Sequence, residues 1–134
     1  GKSAKAINIT DLGMVNDTHA RMNGKPVIVF LNMANPTVVS EFEKNTNALM
    51  VHFGVQDQAL MELITGAEEP SALLPLQMPA DMETVEAQLE DAPHDMKSYI
   101  DSEGNTYDFG FGLNWKGVIK DQRTAKYKMS TPKP

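Results

Sequence analysis

The chain has 134 residues and a mass of 14.8 kDa, enough for one domain with a real core or for part of a larger one. Its formal net charge of −6 is unevenly spread. Gly66 to Phe109 holds eleven carboxylates and one base, Lys97, whereas Gly110 onward holds six bases and one acid, Asp121. An acidic middle repels phosphate, which argues against a nucleic-acid partner, and with no cysteine disulfide and thiolate chemistry are excluded. No run of about 18 apolar residues exists, which argues against a membrane-spanning helix.

In chain order, GKSAKAINIT carries positive charge without a following apolar stretch, so it does not read as a signal peptide. Because the chain opens on Gly1 rather than methionine, it reads as a trimmed piece, and its start says nothing of a leader in a full-length protein. Gly1-Lys2-Ser3 mimics the end of a phosphate loop but lacks the strand and upstream glycine that build the cradle. DLGMVNDTHARMNG predicts a helix with Leu12, Val15, His19 and Met22 on one stripe, Thr10 as N-cap and Gly24 as stop.

KPVIVFLNM is a continuous run of β-branched and large residues, the pattern of a strand covered on both faces. NPTVVSEFEKN predicts a helix capped by Asn35, with Pro36 in its first turn and Val38, Val39 and Phe42 inward. ALMVHF predicts a second buried strand. VQDQALMELITG predicts a second crossover helix, with Ala59, Leu60, Leu63 and Ile64 inward and Gly66 ending it. Strand, helix, strand, helix with short links implies an α/β fold built on a parallel sheet with right-handed crossovers. Two strands cannot complete such a sheet, so either the region after Gly66 completes it or further strands lie upstream.

GAEEPSALLPLQMP follows, with proline at 70, 75 and 79 and leucine at 73, 74 and 76. Proline breaks helix interiors and is barred from central ladders, so LLPLQ could supply only a short edge strand. DMETVEAQLED predicts a short acidic helix capped by Asp81, and SYIDSEGNTYDFGF a hairpin turning at Glu103-Gly104-Asn105. Tyr107, Phe109 and Phe111 alternate, as on one side of a strand, and Trp115 follows. Such a row could stack on sugar rings, but Gly110 and Gly112 between them suggest close backbone contact and a core role.

Candidate chemistry is sparse. Neither strand is followed by G-x-G-x-x-G, so pyrophosphate has no glycine-lined helix terminus to sit on. His19, His52 and His94 match no metal spacing, DSEGN is a turn rather than a calcium loop, and no nucleophile elbow is present. These features imply no metal and no cofactor. Glu41 with Glu43, or Glu68 with Glu69, are the tempting carboxylate pairs for glycoside hydrolysis, yet each reads as solvated charge. Ligands of open parallel sheets meet the carboxyl ends of the strands, here Asn32 to Asn35 and Gly54 to Gln58. Asp57 and Gln58 are therefore the polar residues placed on a substrate-binding rim, with helix capping as the alternative role.

The order KPVIVFLN, ALMVHFGVQDQALMELITG, EEPSALLPLQMP, YDFGFGLNW resembles the C-terminal α/β sandwich domain of glycoside hydrolase family 3, the β-glucosidase and β-xylosidase family, over about Lys25 to Ile119. In that family the proline phrase reads "nPSGrLPvtfP" and the last strand lies near "FGfGLsY". Here Ala72 stands where glycine is usual and Leu73 where a base is usual, so that base's role is not carried over. The resemblance implies a three-layer α/β/α sandwich with a mainly parallel sheet, incomplete in this fragment, plus a C-terminal β-hairpin. It divides the chain into residues 1–119 of that domain and a polar basic tail, 120–134.

The resemblance also implies a retaining enzyme acting on β-linked glycosides, with its aspartate nucleophile on a preceding barrel domain and its glutamate acid/base earlier in the sandwich. Neither motif lies in these residues. The expectation is a non-catalytic scaffold from a periplasmic or secreted β-glucosidase, partnered by its own N-terminal barrel and able to homodimerise through exposed interdomain surface. The competing expectation is a stand-alone α/β module whose acidic face binds a protein.

Overall fold

The computed structural model describes residues 9–89, 92 and 94–128. Helix α1 (Ile9–Arg21) is followed by strand β1 (Ile28–Asn32), a 3-10 turn (Glu43–Asn45), strand β2 (Ala48–His52) and helices α2 (Asp57–Thr65) and α3 (Met82–Ala87). The hairpin β3 (Leu113–Asn114) and β4 (Gly117–Val118) and helix α4 (Gln122–Lys128) complete the described elements.

Helix α1 already includes Thr10, so that residue is not its N-cap. The stop falls where glycine predicts it: Asn23 and Gly24 both take positive φ, 48° and 82°, and the Lys25 N–H closes on the Met22 carbonyl. Leu12 and Val15 pack on the core, but His19 is exposed, so the buried stripe is shorter than the spacing suggests.

β1 and β2 pair in parallel, Ile28 opposite Ala48 through Asn32 opposite His52. Asn47 helps to set this register, its side-chain Oδ1 accepting from the Val27 N–H at 2.8 Å while its backbone N–H donates to the Val27 carbonyl at 2.7 Å. Side chains alternate across a strand, so Val29, Leu31, Leu49 and Val51 share one face, and these four pack on the buried cluster of Met33, Val39, Phe42 and Met78. Both strands are only half-buried, and Ile28 is exposed. The expected cover on both faces is therefore incomplete among the described residues.

The segment 36–42 is not a helix. It runs irregularly into the single 3-10 turn, although Val38, Val39 and Phe42 are buried as their pattern predicts. The backbone closes only at its end, where the Phe42 and Glu43 N–H groups both converge on the Val39 carbonyl and tighten the chain into one turn. Helix α2 ends at Gly66, left-handed at φ 76°, as expected. Leu60 and Leu63 are half-buried, but Ala59 and Ile64 are exposed, contrary to the predicted inward set.

The proline segment is not an added strand of the parallel sheet; it is exposed at Ser71 and Ala72, half-buried at Leu73, Leu74 and Leu76, and buried from Gln77 to Pro79. Its backbone is tied at the positions that are not proline: Leu74 N–H to the Phe111 carbonyl (2.7 Å), Gly110 N–H to the Leu74 carbonyl, Met78 N–H to the Tyr107 carbonyl, Tyr99 N–H to the Met78 carbonyl, and Ala80 N–H to the Lys97 carbonyl. Gln77, Met78 and Pro79 are buried, and the Gln77 amide is satisfied by Met96 and Ser98. Proline fixes φ at the exposed position 75 and at the buried position 79, where it also removes a donor that would need a partner.

The turn at 101–105 forms where predicted, with Gly104 at φ 83° and the Asp101 carboxylate accepting from Glu103 and Asn105. Its arms meet only at the bridge Ile100–Thr106 rather than in a ladder, and residues 107–112 are not a strand. The antiparallel hairpin sits later, at β3 and β4. α3 is capped as expected, the Thr84 N–H donating to Asp81 Oδ1 at 2.8 Å. That bond, with the Thr84 side chain next, holds the Asp81 carboxyl below the usual carboxylate range.

Two glycines give opposite expectations. A Cβ at Gly112 would collide with the Ala72 carbonyl oxygen and lie 3.0 Å from Leu73 Cδ2, whereas one on Gly13, in exposed α1, meets nothing. Gly112→Ala should therefore lower stability by ~1–3 kcal/mol through overpacking, and Gly13→Ala should raise it by ~0.5–1 kcal/mol through helix propensity. Urea midpoints at unchanged m-value measure both.

Candidate functional site

In a parallel sheet the strand dipoles, loops and helix entrances converge at the carboxyl ends. Here β1 and β2 end together at Asn32 and His52, and the Met33 N–H donates to the His52 carbonyl at 2.9 Å. Beyond them Gly54 turns the chain at φ 84°, and α2 begins at Asp57 with Gln56 as its N-cap. Gln56 makes no side-chain cap bond, and Asp57 occupies the first helical position. Both Asp57 and Gln58 are exposed, and the Gln58 amide donates to Glu62 Oε1 at 2.9 Å along the helix.

What surrounds this rim is apolar. Phe53 is 51% exposed, Val55 47% and Met61 54%, in a stretch of nine residues that also holds Asp57 and Gln58. The His52 Nδ1 is buried and has no hydrogen-bond partner. A rim of large apolar side chains is suited to being covered by protein rather than to binding a solvated sugar.

The carboxylates do not assemble. Glu41, Glu68 and Glu69 are exposed, and among the described residues no group of three or more His, Asp or Glu could hold a metal ion. Glu43 instead accepts a hydrogen bond from the Tyr99 hydroxyl at 3.0 Å, across a sequence separation that hides the pair from any local pattern. Burial, then the hydrogen bond to Glu43 and its charge, push the Tyr99 hydroxyl up to about 12. Tyr107 is pushed up further still, by burial first and by the Glu43 and Asp101 charges after it.

The aromatic row divides. Tyr107 stacks on Phe111 with centroids 5.0 Å apart and meets Tyr99 edge-on at 5.2 Å, inside the core. Phe109 faces away, between His94 and Tyr127. Trp115, 62% exposed at the tip of the β3–β4 hairpin, would lie 3.9 Å from a Cβ on Gly66 at the end of α2. The small groove lined by Asp81, Glu83, Thr84, Ala87 and Lys97 has a cavity volume of about 300 Å³, and Asp81, Glu83 and Lys97 at its edge are exposed.

Residues 5–115 match the model of the glycosyl hydrolase family 3 C-terminal domain. The chain belongs to that family. It is 31% identical over 105 residues to a probable β-glucosidase C of Aspergillus oryzae, covering 75% of this chain and 16% of the relative. Identity is 30% over 91 residues to β-glucosidase C of Emericella nidulans, covering 68% and 14%, and 30% over 88 residues to a periplasmic β-glucosidase/β-xylosidase of Dickeya chrysanthemi, covering 66% and 12%. The chain thus spans about a sixth or less of the relatives it matches. No solved structure matches it.

For the glycosyl hydrolase family 3 chain the observed α/β elements and parallel pair agree with the family, and among the described residues no helix is long and apolar enough to cross a membrane. The matched span stops at Trp115, so β4 and α4 lie beyond it.

The Tyr99–Glu43 bond predicts a pH response. A hydroxyl whose folded value is raised from 10.0 to about 12 contributes stability that is complete below about pH 10 and is lost as the pH rises through about 12. Glu43→Gln removes the charge and should move the Tyr99 ionisation down. Ultraviolet absorbance titration, with Tyr99→Phe to assign the step, reads the change.

Proposed function

We propose that this chain is the trailing part of a β-glucosidase-type retaining glycoside hydrolase and that it is a scaffold without hydrolytic activity of its own. The observation that carries the reading is the half-clothed parallel pair. β1 and β2 put apolar side chains on both faces, only one face packs on the buried cluster, and Ile28, Phe53, Val55, Met61 and Ile64 stand exposed. A two-stranded parallel sheet is buried in folded proteins, so the missing cover is assigned to the rest of the same polypeptide. That makes the full domain a three-layer α/β/α sandwich, with the further strands upstream and a barrel domain before them.

Retaining hydrolysis needs two acids about 5–5.5 Å apart across the scissile bond, and that pair is assigned to the part of the protein outside these residues. The substrate of the full-length protein is then a β-linked glycoside, and Asp57 and Gln58, at the carboxyl end of β2, are its nearest polar rim in this chain. The printed names of the relatives, β-glucosidase for the fungal proteins and periplasmic β-glucosidase/β-xylosidase for the bacterial one, support the reaction, and the bacterial name supports a setting outside the cytoplasm, periplasmic or secreted, in this reading. With its partner domain missing, the exposed apolar surface also gives the isolated chain a route to homodimers.

Purified alone at high concentration, the chain should give no turnover of an aryl β-glucoside above a contamination control, while the full-length protein should hydrolyse it. In the full-length protein Asp57→Asn and Gln58→Ala should raise KM severalfold at little-changed kcat, the pattern of lost ground-state binding. Turnover by the isolated chain contradicts the scaffold reading, and an unchanged KM removes Asp57 and Gln58 from the rim.

A further inference from the structure

α4 has seven residues, below the roughly 12–15 at which a helix begins to hold its shape alone in water. Its order therefore depends on what it docks against. At its entrance Asp121 Oδ1 accepts from the Arg123 N–H at 2.8 Å, and the Thr124 hydroxyl donates back to the Asp121 carbonyl at 2.8 Å. Asp121 Oδ2 holds the Arg123 guanidinium through Nη2 at 2.7 Å and Nε at 3.0 Å. Held in this way, Arg123 extends Nη1 to the Ser71 carbonyl at 2.7 Å, at the start of the proline path.

A second contact lies at the far end of the helix. The Tyr127 ring stacks on Phe109, centroids 6.4 Å apart and 17° from parallel, and covers Gly110 so closely that a Cβ there would stand 2.5 Å from Tyr127 Cδ2. Gly110 also donates its N–H to the Leu74 carbonyl, and Phe111 accepts from Leu74. Arg123 and Tyr127 thus grip the two partners of one backbone pairing, the path at Ser71 to Leu74 and the segment at Phe109 to Phe111.

We propose that α4 is a strap whose folding is coupled to the order of the proline path, so that residues 71–74 and 109–111 loosen when α4 undocks while the β1–β2 pair does not. Coupling is reciprocal: a helix too short to stand alone gains order from the path, and the path gains the same free energy from the helix. The geometry makes the strap releasable, because the Asp121–Arg123 pair and the bond to Ser71 are exposed and exposed links of this kind are individually weak. The proposal does not depend on the reaction of the full-length protein.

Peptide-level hydrogen exchange on the full chain tests it. Arg123→Ala and Tyr127→Ala cut different contacts, so each should speed exchange at Leu74 and Gly110 about tenfold, as expected for lost local protection, with β1 and β2 unchanged. Lys126→Ala, on an exposed position of α4, should leave all of these rates as they are. The strap is overturned if α4 exchanges faster in both variants while Leu74 and Gly110 keep their original rates. It is equally overturned if β1 and β2 accelerate to the same degree, since the effect is then global stability. Should one variant fail to fold, the other decides between the same outcomes.

Discussion

The structure depends on a backbone pairing without a sheet: the path from Ala72 to Ala80 descends from an exposed start to the buried Gln77, Met78 and Pro79 and is tied at Leu74, Met78 and Ala80 to residues between Lys97 and Phe111. Burying extended backbone away from a ladder costs free energy wherever an amide or carbonyl lacks a partner. The sequence meets this constraint in two ways. Proline at the buried position 79 deletes a donor, and Gln77 supplies a buried side-chain amide that bonds Met96 and Ser98. Met78, nearly fully enclosed, then serves as the contact between the path and the sheet-facing cluster of Met33, Val39 and Phe42. Stiffness also lowers the entropy that the path loses on ordering.

From this arrangement follows the asymmetry of the parallel pair. One face of β1 and β2 rests on the cluster that Met78 completes, and the Tyr99, Tyr107 and Phe111 rings extend the same core sideways. The opposite face has apolar side chains and no equivalent buried cluster among the described residues. On that face Ile28 is exposed while Phe30, Met50 and His52 are half-buried, so its cover is partial rather than closed. This agrees with a family member that spans about a sixth or less of its relatives' length.

Much of this was legible in the residues, and the limits are physical. The two strands and the glycine-ended helix α2 were visible because β-branched runs and a left-handed stop are local signals. Burial of Val38, Val39 and Phe42 was visible too, yet their helix was not formed, because apolar spacing reports which side chains are inward and not which backbone turns them there. Phe109 was misplaced with Tyr107 and Phe111 because alternation presumes a strand, and Gly110 at φ 79° breaks the alternation. The Tyr99–Glu43 bond and the Arg123–Ser71 bond join residues more than fifty positions apart. No period or spacing encodes such pairs. Asp57 and Gln58 lie at the start of α2, past the end of β2, while their apolar neighbours Phe53, Val55 and Met61 read in the sequence only as parts of elements and not as a surface.

That surface decides how the rim's polarity should be weighed. Three large apolar side chains left in water cost free energy at roughly 25 cal/mol for each Å² that could be covered, whereas Asp57 and Gln58 in water are already satisfied by solvent and by Glu62. The stronger drive at the carboxyl end of β2 is therefore burial against protein, and any sugar contact made by Asp57 or Gln58 is made at the edge of that interface.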